Sequence, residues 1–397
     1  MKKSYPVLTI KADRSVSAVF HHPWLFSGSI QSKPSGLNQG DLVQVADQAG
    51  KILGTGTYSK SSIAVRLFEF GEAVIDADWL QRKIRQAEDR RTVLGYGPET
   101  ETTGYRLVFG EADGLPGLVI DRYGDVLALQ ISTAGMEALK PLVIEALQEL
   151  FKPRAIVERS DISVRREEGL KEEKSMLLGD PVDEVEFLEN GHRFFADVMN
   201  GQKTGFYLDQ KDLRSFIQPL AGDREALNLF SYTGATNVYL FKGGAKSVLA
   251  VDSSADALHG CQKQLGLNRL KKAKLVTEEA DGFQWLGVHK EPAYDLVVLD
   301  PPGIIKTQKN IEEGAKTYHF LNRAAMRLVR DEGIFVSSSC SHYMNPGEFE
   351  MILRRASVQA GVTLDMLAWV QQSPDHPRSL YFPESHYLKS VVARVRR

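Results

Sequence analysis

Cys340 stands in the run Ser337-Ser338-Ser339-Cys340-Ser341-His342-Tyr343-Met344, directly after the apolar tripeptide Ile334-Phe335-Val336. A thiol at the mouth of a buried strand, in a row of small polar residues, can serve as a nucleophile once it is a thiolate. Nearby Lys, Arg or protonated His favours the thiolate, and His342 is two residues away. The plain alternative is that free Cys is a small buried hydrophobe. That alternative fits Cys261, which lies inside the helical stretch 255–268.

Asp300-Pro301-Pro302-Gly303 closes the apolar run Tyr294–Leu299. Each proline fixes its own φ and restricts its predecessor, so the carboxylate is held rigidly. A rigid acceptor beside a flat substrate suits a nucleobase flipped from its stack and read on its hydrogen-bonding edge. Amino methylation of adenine fits this tetrapeptide too and needs no cysteine. Cys340 favours carbon 5 of a pyrimidine, which is a poor nucleophile until a thiolate adds to carbon 6. Asp300 as an acid, protonating ring nitrogen 3, would help that addition.

Other residues at predicted strand ends suit a nucleoside without phosphates. Asn228-Leu229-Phe230-Ser231-Tyr232-Thr233-Gly234 puts a single glycine at a strand-to-helix turn. It is not the three-glycine fingerprint of dinucleotide binders. Asp252, with Ser253 after it, ends the next strand and can accept from both ribose hydroxyls. Asp281-Gly282 follows the third, where an adenine amino group could be met. The pattern fits S-adenosylmethionine; each acid taken alone could equally be a helix N-cap.

The elements that must position these residues follow from periodicity. The last half alternates strands (226–230, 247–251, 274–277, 294–299, 333–337, then 364–370 and 387–394) with helices (235–241, 255–268, 318–329), predicting a parallel sheet covered on both faces. Its ligands belong beyond the carboxyl ends of the strands. Residues 5–70 read as short strands between turns, with the His22-Pro23-Trp24-Leu25-Phe26 aromatics expected to pack a small barrel. A helix over 78–94, strands at 105–109, 118–120, 126–131 and 155–158, and a helix over 136–150 predict a small α+β domain between them. Arg165–Lys174 is charge-rich and reads as a loop or exposed linker. The expected domains are 1–74, 75–190 and 191–397.

Of 397 residues, 43% are hydrophobic and 25% charged, as in ordinary globular chains, and the net charge of -2 selects no partner. Basic residues do cluster locally: 8 Lys/Arg against 5 Asp/Glu in residues 1–72, and 6 against 2 in 301–330. Such surpluses fit a polyanion, and equally a solvated face. No apolar run is long enough for a membrane span. The N-terminus lacks a signal-peptide pattern. Two distant cysteines form neither a disulfide framework nor a zinc site, so a reducing cytoplasmic location and no metal are expected.

Several stretches, in this order, carry a resemblance over nearly the whole chain: HPWLFSGSI and GDLVQVAD near the N-terminus, RLVFGEADGLPGLVIDRYGD at 106–125, FADVMNGQKTGFYLDQ at 195–210, NLFSYTGA at 228–235, VLDPPGIIK at 298–306, SSCSHYM at 338–344 and FPESHYLK at 382–389. Together they resemble the RlmI family, bacterial large-subunit ribosomal RNA methyltransferases that make 5-methylcytosine. The resemblance implies an N-terminal PUA RNA-binding barrel and a seven-stranded, Rossmann-like class I methyltransferase domain. It implies S-adenosylmethionine as donor, held by Asn228, Phe230, Tyr232, Gly234, Asp252, Ser253, Asp281, Gly282 and Asp300. Cys340 would be the nucleophile, and ribosomal RNA the partner. It also sets Lys203 to Gln210 over the cofactor or target base, although Asp209 and Gln210 could equally form a hairpin turn. Pro301, Pro302, Lys203 and Lys306 would face the substrate. Many RNA cytosine-5 methyltransferases carry a second cysteine just after Asp-x-Pro to release product. Here that position is Gly303, leaving Asp300, His342 or a water to remove the carbon-5 proton. A methyltransferase acting on another base, a ribosome-assembly factor that binds RNA without catalysis, and a nicotinamide oxidoreductase are the competing readings. A homodimer is compatible with the sequence.

Overall fold

The computed structural model describes residues 5–14, 16–270 and 272–397. Lys2 and Lys3, part of the N-terminal basic surplus, lie outside the described residues. The chain packs as two compact units. One comprises residues 1–189, 195–208 and 374–385; the other comprises 190–194, 209–373 and 386–397.

The first unit contains a six-stranded sheet built from Val7–Ile10, Trp24–Phe26, Ile30–Ser32, Leu42–Ala46, Ile52–Tyr58 and Ile63–Phe70. Alternate residues turn inward, so Leu8 and Ile10 meet Val43, Val45, Val65 and Leu67 in one apolar core. The same alternation corrects the expectation for the aromatics. Leu25 is the residue that fills this core, while Phe26 is 50% exposed. Trp24 packs edge-on against Phe382 and donates from Nε1 to Glu111 at 2.8 Å.

A five-stranded sheet follows, from Gly104–Phe109, Leu118–Tyr123, Val126–Ile131, Ala155–Ser160 and Glu173–Leu178. Helices Ala77–Val93 and Ala134–Phe151 cover it, through Leu80, Ile84, Met136, Leu139 and Val143. The tract 165–174 is largely exposed, as expected, but two of its charged residues are buried. Arg165 is buried, donating to the Ile131 carbonyl and to Glu137. Buried Glu168 accepts from Arg66 at 2.8 Å, and the tract's last two residues, Glu173 and Lys174, open an edge strand. Charge-rich sequence reads as solvated until partners distant in the chain neutralise it.

The second unit holds a seven-stranded sheet. Its strands are β1 (Glu225–Leu229), β2 (Ser247–Asp252), β3 (Leu275–Glu279), β4 (Tyr294–Leu299), β5 (Val329–Ser339), β6 (Thr363–Gln371) and β7 (Lys389–Arg396), in the order β3-β2-β1-β4-β5-β7-β6. The sheet is mixed rather than all parallel: β7 runs antiparallel to both β5 and β6. Its helices are α1 (Lys211–Ile217), α2 (Ala235–Lys242), α3 (Ala255–Leu267), α4 (Gly282–Val288), α5 (Ile311–Arg327) and α6 (Pro346–Ala360). The periodicity reading missed α1, α4 and α6 and began α5 seven residues late. Helix α6 carried a legible start: Asn345 caps the Glu348 N–H, Glu348 returns to the Asn345 N–H, and Pro346 takes the first turn. The core lies between sheet and helices, with Leu229, Val297 and Phe335 against Tyr318, Leu321 and Phe349.

Parallel register levels the strand ends. Leu229 pairs with Val251 and with Leu299, and Leu299 pairs with Ser337. The turns after β1, β2, β4 and β5 therefore open at one edge of the sheet.

Candidate active site

The first of these turns is the least ordinary backbone in the unit. Phe230, Tyr232 and Gly234 all have positive φ, at 60°, 47° and 75°. At Gly234 a Cβ would stand 2.6 Å from Cys261 Sγ and 2.7 Å from Asn237 Nδ2, so neither the angle nor the space admits a side chain. Asn228, buried on β1, donates to Asn237 Oδ1 at 2.8 Å and fixes the start of α2. Asp252 accepts the Tyr232 N–H at 2.8 Å on one oxygen and the Ser254 N–H at 3.0 Å on the other. Each carboxylate oxygen keeps a second lone pair for a ribose hydroxyl. Ser253 beside it is exposed. Asp281 caps α4, receiving the N–H groups of Phe283 and Gln284 on the same oxygen. At Gly282 a Cβ would meet the Phe230 ring at 2.6 Å, which draws the turns after β1 and β3 together.

Unfilled polar capacity accompanies this cradle. Thr233 Oγ1 and Asp209 Oδ1 are buried without a hydrogen-bond partner. Buried polar atoms are normally satisfied, so these two fit a bound polar group such as a nucleoside or its amino-acid tail.

Asp300 follows β4. Gln210 donates to its Oδ2 at 2.6 Å, and burial pushes its carboxyl up to about 6, with Asp209 adding to the rise. Asp209 is held by the Tyr387 hydroxyl at 2.5 Å and, through its carbonyl, by the Ser373 N–H. Asp209 and Gln210 thus anchor the acid rather than form a hairpin turn. Pro301 is buried, Pro302 and Lys306 are exposed, and Lys203 belongs to the first unit.

The three serines before Cys340 are buried and their hydroxyls are engaged. Ser337 donates to Asn322, Ser338 pairs with Ser390, and Ser339 accepts the Ser341 N–H. Ser341 Oγ accepts the Ile305 N–H at 3.1 Å and meets the Tyr318 hydroxyl at 2.9 Å. These bonds join the Cys340 turn to the loop after Asp300, and a Cβ on Gly303 would lie 3.5 Å from Cys340 Sγ. Cys340 is a part-exposed thiol outside any disulfide, whereas burial pushes Cys261 up to about 12. His342 is exposed, its ring edge-on to Tyr343. The basic group at this turn is instead Lys389, buried on β7 with its Nζ on the Ser341 carbonyl at 2.9 Å, which the sequence reading did not single out. A lysine opening the run Ser390–Val395, inside FPESHYLK, was the available signal.

A doubly wound sheet with a one-glycine cradle, an acid after β2 and no phosphate fingerprint defines an S-adenosylmethionine-dependent methyltransferase. A family model of that description matches residues 164–376, and one for a PUA-like domain matches residues 8–70. The chain belongs to the ribosomal RNA large subunit methyltransferase I family: it is 38% identical over 392 residues to the Tolumonas auensis member, covering 97% of this chain and 98% of the relative. Two solved chains share the fold, each at a TM-score of 0.81 and 22% identity, covering 98% of this chain and 99% of their own. One is a SAM-dependent methyltransferase from Streptococcus mutans, and the other is a methyltransferase complexed with SAH. S-adenosylmethionine is the methyl donor of this family.

Proposed function

We propose that the protein methylates carbon 5 of a cytosine in large-subunit ribosomal RNA through a covalent bond between Cys340 and carbon 6. The observation that carries this reading is the accessible Cys340 thiol against Gly303, in the loop that Asp300 opens. Amino methylation requires no thiol there. The substrate class rests on the names of the relatives.

Bound S-adenosylmethionine supplies a methyl group on a sulfonium, open to attack by carbon. Asn228, Phe230, Tyr232, Gly234, Asp252, Ser253, Asp281 and Gly282 would hold it, with Asp209, Gln210 and Asp300 at its reactive side. The Cys340 thiolate adds to carbon 6 while Asp300 gives a proton to ring nitrogen 3, and carbon 5 becomes enamine-like and takes the methyl group. A water, His342 or the Asp300 carboxylate takes the carbon-5 proton as the carbon 6–sulfur bond breaks and the thiolate leaves, and ring nitrogen 3 then gives its proton back to Asp300 or to water. Pro301 and Pro302 keep the acid rigid, and Lys203 and Lys306 contact the RNA backbone. The PUA-like part, residues 1–74, binds structured RNA by shape and phosphate contacts. Residues 75–190 and 191–397 are its central and catalytic domains. The enzyme acts in the cytoplasm, and a homodimer is compatible with this reading.

The test is methyl transfer from labelled S-adenosylmethionine to unmodified large-subunit rRNA, followed by nucleoside analysis. Wild type is expected to yield labelled 5-methylcytosine and Cys340→Ala none. Equal transfer by both proteins would assign the label to another atom and return Cys340 to a packing role.

A further inference from the structure

Lys389 is a lysine in the interior of a sheet. It is 2% exposed, and among the described residues it forms no ion pair with a carboxylate. Its Nζ donates to the carbonyl oxygens of Ser341 at 2.9 Å and Tyr387 at 2.7 Å. A buried ammonium is costly unless a counter-charge stands near it. The strand register brings a titratable thiol there. Lys389 lies opposite Ser339, the residue before Cys340, and its Nζ bonds to Ser341, the residue after. Lys389 is therefore tied to both neighbours of the thiol, to Ser339 by strand pairing and to Ser341 by its amine.

The groups around this amine are few. Burial pulls Lys389 down to about 8, and Cys340 acts in the opposite direction. Tyr318 reaches the same turn from α5, but burial pushes its phenol up, so it stays neutral. Tyr387 is occupied with Asp209, Asp300 with Gln210, and His342 is exposed. Cys340 is left as the group able to exchange a proton with Lys389.

We infer that Lys389 is the residue that activates Cys340. Its neutral amine takes the thiol proton, an N–H bond forming as the S–H bond breaks. The resulting ammonium then stands beside the thiolate before the bond to carbon 6 forms and after it breaks. This rests on Cys340 being the nucleophile.

The experiment is the pH dependence of Cys340 alkylation by iodoacetamide, without RNA. Wild type, Lys389→Met and Lys389→Arg are compared, with Cys340→Ala as the blank and S-adenosylmethionine binding as the check on folding. In wild type the midpoint is expected below the ~8.5 of a free thiol. Lys389→Met should raise it by about one unit or more, equal to about tenfold in thiolate at neutral pH. Lys389→Arg, which keeps a cation, should hold it low. The midpoint is the readout because a more basic thiolate is also the better nucleophile, which blunts the rate difference to roughly threefold. An ordinary midpoint in wild type, which needs no variant to fold, overturns the inference; so does an identical midpoint in folded Lys389→Met. The assay is independent of the base methylated. A low midpoint without 5-methylcytosine keeps the pair and removes the cytosine assignment, whereas 5-methylcytosine with an ordinary midpoint removes only Lys389.

Discussion

Asp300 keeps its proton into a pH range where most carboxyls have lost theirs. Its value of about 6 in the fold stands above the ordinary 3.8, because burial penalises the charge. The sign follows: the protonated form stabilises the fold, this contribution is complete below about 3.8, and it is lost as pH rises through about 6. The same titration removes the proton that the proposed chemistry gives to ring nitrogen 3. Asp300→Asn is expected to slow single-turnover methyl transfer by about 100- to 10,000-fold. It should also flatten the change in urea midpoint between about pH 3.8 and about pH 6. A variant retaining the wild-type rate would dismiss Asp300 as the acid. At this scale the sequence was most informative about residues whose type is rare. A thiol after an apolar run and a carboxylate before two prolines stand out without coordinates. Lys389 did not, since a lysine at the start of a strand reads as a surface residue until β7 is seen between two other strands.

The turn after β1 shows how an element stores its requirement in one residue. Gly234 has φ +75°, and its missing Cβ leaves room for Cys261 and Asn237. Gly234→Ala is expected to lose more than about 1 kcal/mol of stability, since the left-handed angle and the crowding both oppose it. S-adenosylmethionine affinity measured by calorimetry should fall with it, and the added substitution Cys261→Ala should recover part of the stability by removing Sγ. Unchanged melting and affinity would show that the turn relaxes without cost. Strands were legible in the sequence through short apolar runs such as 248–251, 296–299 and 334–336, bounded by turns. Strand direction was not, because β7 has the same apolar look as a parallel strand and only its pairing with Val336 and Ser338 reveals the reversal. The short α1 and α4 are missed for another reason: seven residues give too few repeats of the helical period to be counted.

The molecule returns to its first unit twice after leaving it, at 195–208 and 374–385. Buried polar bonds fix both returns. Thr204 donates to Asp121, which also holds Arg106 through two bonds, and Tyr123 meets the Thr204 hydroxyl. Asp375 accepts the Arg106 N–H, and its carbonyl accepts from Arg91, itself paired with Asp113. Removing one partner leaves the other as an uncompensated buried charge, so Asp121→Ala is expected to cost about 3–5 kcal/mol in chemical unfolding. A loss below about 1 kcal/mol would mean the network is solvated as a surface pair is. No window of sequence contains this information, because each bond joins residues remote in the chain. Composition and periodicity therefore anticipated three successive domains, while the two returns at 195–208 and 374–385 were invisible to them.

Strand β7 is the last of its sheet in chain order, yet it is inserted between two strands made earlier. During synthesis Cys340 leaves the ribosome well ahead of Lys389, and until β7 docks the thiol has no amine beside it. On the proposed activation by Lys389, an incomplete chain carries a thiol of ordinary acidity. The activated form would then arise only when the sheet closes, so that assembly of the fold itself times the arming of the nucleophile.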